Sequence, residues 1–311
     1  VEDQLEEYVR QSADNELPRP TGDGIGKIEH NSNLAHFYAH FVRHTIDTSL
    51  EGMTIVYDGA NGAASSVGPE ILAGLGAKVI NINVNPDGLN INHHCGSTHI
   101  EGLQVAVQQH NADLGIANDG DADRCLLVDE KGQVLDGDQI MLLCALKLKE
   151  EGKLKEDTVV GTVMSNIGFH KAAKELGMKT FATAVGDRYV LEYMREHNLS
   201  VGGEQSGHVI FLDHNTTGDG MLTAVQVAAL MKEKNKPLSE LAGIMTKYPQ
   251  VLINVRVATK TGWEDNDLIK AAIVTAEGEL GVEGRVLVRA SGTEPLIRVM
   301  AEGPNQEELQ A

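Results

Sequence analysis

Three short stretches of this 311-residue chain concentrate the residue types that do chemistry. In Asp119-Gly-Asp-Ala-Asp-Arg124, carboxylates recur at positions 119, 121 and 123, and a guanidinium follows at once. Oxygen donors at that spacing can converge on one hard cation, which suits Mg2+ or Ca2+ better than Zn2+. Three like charges between apolar runs repel one another, so a positive partner is expected there. The adjacent Arg124 suits a phosphate oxygen bridged to that cation. An EF-hand calcium loop competes for the same string, with Glu130 at its twelfth position, but Arg124 fills the sixth, where that loop needs Gly. A solvated acidic turn is the plain alternative.

The second stretch is Gly202-Gly-Glu-Gln-Ser-Gly-His208. Glu204, Ser206 and His208 on a Gly-flanked loop can donate to and accept from vicinal hydroxyls, as a sugar pocket requires; a tight hairpin explains the same glycines equally well. The third is Arg289-Ala-Ser-Gly-Thr-Glu-Pro295, followed by Arg298. The Ser291 and Thr293 hydroxyls, the turn at Gly292 and arginines at both ends make a phosphate cradle. It is not a Walker loop, because no Gly-Lys-Ser/Thr follows, and an ordinary turn with arginines on its rim is the competing reading.

Other candidates are weaker. His93, His94 and His99 have no common zinc spacing. Asp58-Gly-Ala-Asn-Gly62 lacks the third Gly of a dinucleotide turn and reads as a plain turn. Val185-Gly-Asp-Arg-Tyr189 offers Asp187 and Arg188 either to a cleft or as a surface pair. Asp219 opens a helix and can serve as its cap.

The elements that must hold these loops alternate between strand and helix. Met53–Tyr57, a helix from Pro69 to Leu75 and Lys78–Ile82 form one βαβ unit; Thr158–Val163, a helix ending at Leu176 and Thr180–Thr183 form another. Both helices end in Leu-Gly-x-Lys, with Gly at the C-cap. The expected fold is α/β: two domains of similar topology with mainly parallel mixed sheets, plus a small C-terminal α+β domain built on strands at 251–257, 285–289 and 296–300. Polar breaks place the boundaries at 1–28 (no complete unit), 29–152 (cation loop), 153–247 (hydroxyl-reading loop) and 248–311 (phosphate cradle), the last stopping just inside a new helix.

Composition narrows the function. With 26 Lys and Arg against 45 Asp and Glu, the formal charge is −19, which disfavours nucleic acid and anionic lipid as partners. No apolar run approaches the ~18–20 residues that span a bilayer, and the acidic first residues do not resemble a signal peptide. Three widely spaced cysteines, Cys95, Cys125 and Cys144, suit reduced thiols and a cytoplasmic location.

Asp119–Arg124, Gly203–His208 and Arg289–Pro295, in this order and at about these separations, closely resemble the motifs of the α-D-phosphohexomutases, and the resemblance spans nearly the whole chain. Gln205 and the wording Pro86–Asn92 and Cys95–His99 are most similar to the bacterial branch acting on glucosamine phosphates; the phosphomannomutase/phosphoglucomutase branch usually has Met at the Gln205 position. The resemblance implies interconversion of glucosamine 6-phosphate and glucosamine 1-phosphate, a step towards UDP-N-acetylglucosamine and the cell wall, through an enzyme phosphoserine and a bisphosphate. Carried onto this chain, Asp119, Asp121 and Asp123 hold Mg2+, and Arg124 and His208 are catalytic. Glu204, Ser206, His208 and Arg188 bind the sugar; Arg289, Ser291, Gly292, Thr293 and Arg298 bind the phosphate. The partner is then a hexosamine phosphate, and a homodimer is one assembly open to it. The family's Thr-(Ala/Ser)-Ser-His-Asn/Gly serine loop does not occur in this sequence, so the resemblance is to domains two to four, and the chain alone is expected to bind weakly and not to turn over. A Mg2+-dependent phosphatase and a non-catalytic sugar-phosphate binder are the competing functions.

Overall fold

The computed structural model describes residues 2–13, 17, 19–31, 33–291 and 294–310, and the chain divides into two compact units, Val1–Phe37 and Tyr38–Ala311. The first unit carries the helix α1 (Glu2–Ala13), which the reading of 1–28 did not include. Surface pairs such as Arg10 with Glu7 at 3.4 Å and Gln11 with Glu7 at 3.0 Å support it. Helix α2 (Asn33–Arg43) runs into the second unit, where Ala39 and Val42 are buried and His40 stacks on His44.

The second unit opens with β1 (Thr54–Asp58), α3 (Val67–Gly74), β2 (Lys78–Ile82), α4 (Glu101–His110), β3 (Leu114–Asn118), β4 (Cys125–Asp129) and β5 (Val134–Leu135). These strands form a sheet in the order β2-β1-β3-β4-β5, parallel among the first three and antiparallel thereafter. The pattern then repeats. After α5 (Gly137–Glu150) come β6 (Thr158–Thr162), α6 (Ile167–Glu175), β7 (Lys179–Thr183), α7 (Asp187–Glu196), β8 (Val201–Gly203) and β9 (Val209–Phe211). Their order, β7-β6-β8-β9, again places two parallel neighbours around the first strand and closes with an antiparallel hairpin. The expected α/β fold with two similarly connected sheets is thus present, and the Asp119 and Glu204 loops are the same hairpin of the two copies.

Helices α8 (Gly220–Lys234) and α9 (Leu238–Leu241) follow. Every residue of α8 from Gly220 to Met231 is buried, because it lies against β3 and β4 of the first sheet and against α5, which itself packs on β6 and β8. One apolar cluster therefore runs from Ala39 to Met245 through both sheets. Side-chain caps start these helices: Asp136 accepts from Gln139 N–H on α5, Asn166 from Gly168 N–H on α6 and Asp219 from Leu222 N–H on α8. The chain ends in β10 (Gln250–Arg256), α10 (Asp267–Leu280), β11 (Arg285–Ala290), β12 (Leu296–Glu302) and α11 (Gln306–Gln310), whose strands form an antiparallel β10-β12-β11 sheet. All three thiols are buried, and burial raises the pKa of each, that of Cys144 to about 12. Among the described residues, no helix is long and apolar enough to cross a membrane.

Asp138, the second residue of α5, is fully buried; Oδ2 accepts from Asn166 N–H at 2.7 Å, while Oδ1 has no partner. Burial, then the charge of Asp136, pushes its carboxyl up to about 7 against the bond from Asn166. Between the ordinary carboxylate value and 7 the folded chain binds more protons than the unfolded one, so this group costs stability as pH rises through that window. Asp138→Asn keeps an acceptor and removes the charge. Thermal melts by circular dichroism should show the variant gaining on the wild type from pH 5 to pH 8, by roughly 3–6 °C; parallel pH profiles would refute the assignment.

Candidate functional site

The Asp119 loop is built from its ends. Asn118, buried at the end of β3, accepts from the Tyr57 hydroxyl at 3.0 Å and donates to the Arg124 carbonyl at 2.8 Å, so one side chain ties the loop's exit to its entry. Inside it, Asp119 accepts from Arg124 N–H at 3.2 Å, and Ala122 takes a left-handed conformation, φ 60°. The Asp119 carboxyl lies against that of Asp123; burial first, then the charge of Asp123, raise its pKa, while the Arg124 backbone and guanidinium act in the opposite direction. Asp123 Oδ1 is buried without a partner, Asp121 is exposed, and Arg124 Nε stands 3.9 Å from Asp119. Among the described residues, no three His, Cys, Asp or Glu side chains are already gathered as a ligand set. The loop instead brings two crowded carboxylates together with a third beside them, an arrangement whose repulsion a bound cation relieves.

The Glu204 loop meets it through the backbone. Cys125 N–H donates to the Gly207 carbonyl at 3.0 Å, and Arg124 bridges to His208. Gly207 has φ +95°, and a Cβ on it would lie 2.3 Å from the Cys125 carbonyl oxygen. Gly137 N–H donates to the Gln205 carbonyl at 3.0 Å, fixing the other side of the loop on the start of α5. Glu204 Oε1 accepts from Gly186 N–H at 3.0 Å, and Ser206 is exposed.

His208 is buried, with neither ring nitrogen hydrogen-bonded, and its Nε2 lies 3.7 Å from Asp123 and 3.8 Å from Asp187. Its ring fits because residue 218 is Gly; a Cβ there would fall 2.4 Å from Nε2. The expected carboxylate loop and histidine are therefore together, and Asp187 joins them at the start of α7. Its neighbour Arg188 is exposed and pairs with Glu192 at 2.8 Å.

In the third sheet, Arg289 and Arg298 are directly opposed across β11 and β12, each with a buried, unpartnered Nε. Burial and the charge of Arg298 lower the pKa of Arg289. Like charges in opposed positions destabilise a sheet; Arg298 is paired with Glu294 at 3.1 Å, and the two Nε donors remain for an anion. Ser291 is buried, and its carbonyl accepts from Lys260 Nζ at 2.7 Å, a cation that the motif-based reading missed because it lies 31 residues upstream on the next loop. Gly292 and Thr293 lie outside the described residues. The Asp58 turn, read as structural, has Asp58 buried and accepting from Ala60 N–H, Gly96 N–H and Asn83 Nδ2, which ties the His93–His99 loop to the first sheet.

Sequence models of the phosphoglucomutase/phosphomannomutase family match in succession: alpha/beta/alpha domain II over residues 35–132, alpha/beta/alpha domain III over 136–248 and the C-terminal domain over 252–311. A protein named phosphoglucosamine mutase from Symbiobacterium thermophilum is 54% identical, across 100% of this chain and 69% of its own length. The crystal structure of a phosphoglucomutase/phosphomannomutase family protein from Burkholderia thailandensis superposes with TM-score 0.77 at 19% identity, over 99% of this chain and 67% of its own. That of Aspergillus fumigatus N-acetylphosphoglucosamine mutase, in complex with GlcNAc-6P and magnesium, gives 0.70 at 23% identity, over 88% and 66%. At these identities the two structures bear on the fold.

The loop contact predicts a stability difference between two glycines. Gly207→Ala combines a positive φ with a backbone clash and should cost about 2–4 kcal/mol. Gly102→Ala, on α4 with open space around it, should be neutral or stabilising by about 0.5–1 kcal/mol. Urea unfolding monitored by fluorescence measures both; equal midpoints would contradict the packing described.

Proposed function

The chain belongs to the α-D-phosphohexomutase family, beside the bacterial phosphoglucosamine mutases, and from that premise we propose that its three loops form the binding surface for glucosamine 6-phosphate and glucosamine 1-phosphate. The family is one of isomerases in carbohydrate metabolism. The observation that carries the reading is the backbone contact between the Asp119 and Glu204 loops, which sets the acidic loop and the hydroxyl-reading loop side by side.

Asp119, Asp121 and Asp123 would hold Mg2+, and the fit rests on the orphaned Asp123 oxygen and the raised Asp119 carboxyl. When bound, the ion supplies positive charge against the transferring phosphoryl group. Arg124 adds its guanidinium to the same task, since phosphoryl transfer is mostly positioning and neutralisation of charge on the equatorial oxygens. Glu204 and Ser206 bind sugar hydroxyls. Buried between two carboxylates, with both ring nitrogens free of hydrogen bonds, His208 is placed to take or return a hydroxyl proton. Arg188, exposed at the start of α7 and paired there with Glu192, would bind the sugar on exchanging that partner. Arg289, Ser291 and Arg298, with Gly292 and Thr293, grip the phosphate that does not react. Two separate grips suit a substrate that must present first one end and then the other.

Isothermal titration of the chain with glucosamine 6-phosphate in Mg2+ tests this. Binding is expected, weakened by EDTA and by Asp119→Asn; Arg298→Ala should cost about 10–100-fold in affinity, the loss of a charge-assisted hydrogen bond. No binding by the wild-type chain would overturn the reading, and steady release of inorganic phosphate would transfer it to a phosphatase.

A further inference from the structure

We infer that Gln250 and Glu302 are positioning residues that join the sugar loop to the phosphate cradle, so that the two ends of a sugar phosphate bind cooperatively; this rests on the function proposed above. Gln205, between Glu204 and Ser206, donates through Nε2 to Gln250 Oε1 at 3.4 Å, and Gln250 Nε2 donates to Glu302 Oε1 at 2.9 Å. The same Glu302 oxygen accepts from Ile167 N–H, the first residue of α6, at 2.8 Å. The other oxygen accepts from Arg285 Nε at 2.7 Å, and Arg285 also donates to the Ser165 carbonyl. Glu302 is fully buried, and these donors satisfy its carboxyl oxygens. Every bond that reaches Gln250 or Glu302 points towards the carboxylate, and the series ends on a helix N-terminus, the arrangement in which such bonds reinforce one another.

The strand register makes this row a fixed point. Gln250 and Arg285 both stand opposite Glu302, so β10, β12 and β11 each contribute one side chain to it. The opposed pair Arg289 and Arg298 lies on the same face four residues along β11 and β12, about 13 Å away at the usual strand rise. The ladder is held at the Glu302 row and carries its anion site towards the other end. Asn166 supports the same junction, donating to the Tyr248 carbonyl at 2.9 Å and accepting from Tyr248 N–H at 3.0 Å.

Within this series, the Gln205–Gln250 bond is the long, uncharged one, and it alone starts on the sugar loop. A sugar that orders Glu204 and Ser206 also orders Gln205, and through Gln250 it biases the tilt of the sheet that carries Arg289 and Arg298. That differential contact is a coupling free energy between two sites.

Titration of three proteins with glucosamine 6-phosphate and, separately, with inorganic phosphate tests this. Gln250→Leu should weaken glucosamine 6-phosphate about 5–20-fold, within the usual range of such couplings, and leave inorganic phosphate within twofold. Gln250→Asn, with a shorter amide, should recover part of the loss, and Gln205→Ala combined with Gln250→Leu should bind no more weakly than Gln250→Leu alone. Equal losses for both ligands would reduce Gln250 to a structural role, and an additive double variant or an unchanged Gln250→Leu would overturn the relay. Failure of the functional reading shows differently, as absence of sugar-phosphate binding in the wild-type chain.

Discussion

The site depends on two β-hairpin loops sharing backbone hydrogen bonds. Cys125 N–H and the Gly207 carbonyl, at 3.0 Å, join strands of different sheets, and the approach is possible because residue 207 has no Cβ. Much else follows from that constraint. Gly137 must also lack a side chain, since the Glu204 carbonyl lies where its Cβ would be; Gly220 must leave room for the Arg124 carbonyl and the Asn118 amide. The apolar support for the contact is α8, buried along most of its length against one sheet and against the helix that covers the other. A common core, and not a linker, sets the distance between the acidic loop and the hydroxyl-reading loop.

Charge is distributed with the same economy. In a chain of net charge −19, the third sheet sets two arginines opposite each other, with a lysine donating to the neighbouring Ser291 carbonyl; Glu294 pairs with Arg298, and both arginine Nε atoms are left unpartnered. The acidic loop does the converse: burial, and after it the neighbouring Asp123 carboxylate, raise the pKa of Asp119. Both arrangements carry a cost in the folded chain that a counter-charge would offset.

Much of this was legible in the sequence, for identifiable reasons. Lys78–Ile82 was read with the bounds it has in the structure, since a β-branched run between turn residues has few other readings. The similarity of the two α/β units was visible in their Leu-Gly-x-Lys helix ends, and the sheet orders share it. The chemistry of the Asp119, Glu204 and Arg289 loops was legible because charged and glycine residues cluster within a few positions. Pairings between distant segments were not. Lys260 beside Ser291, Asp187 beside His208 and Glu302 on the first N–H of α6 each join residues 20 or more positions apart, and no local period encodes them. Helix α1 was missed although Leu5, Tyr8 and Val9 recur at i, i+3 and i+4, because that stripe is short and set among charged residues.

The buried thiols have a practical consequence. Thiol-reactive dyes attack the thiolate, and Cys95, Cys125 and Cys144 are all inside the fold with their pKa values raised. The native sequence therefore offers a silent background for labelling. A fluorophore placed through one added surface cysteine on each of two sheets would report their separation by energy transfer, with every wild-type cysteine left in place.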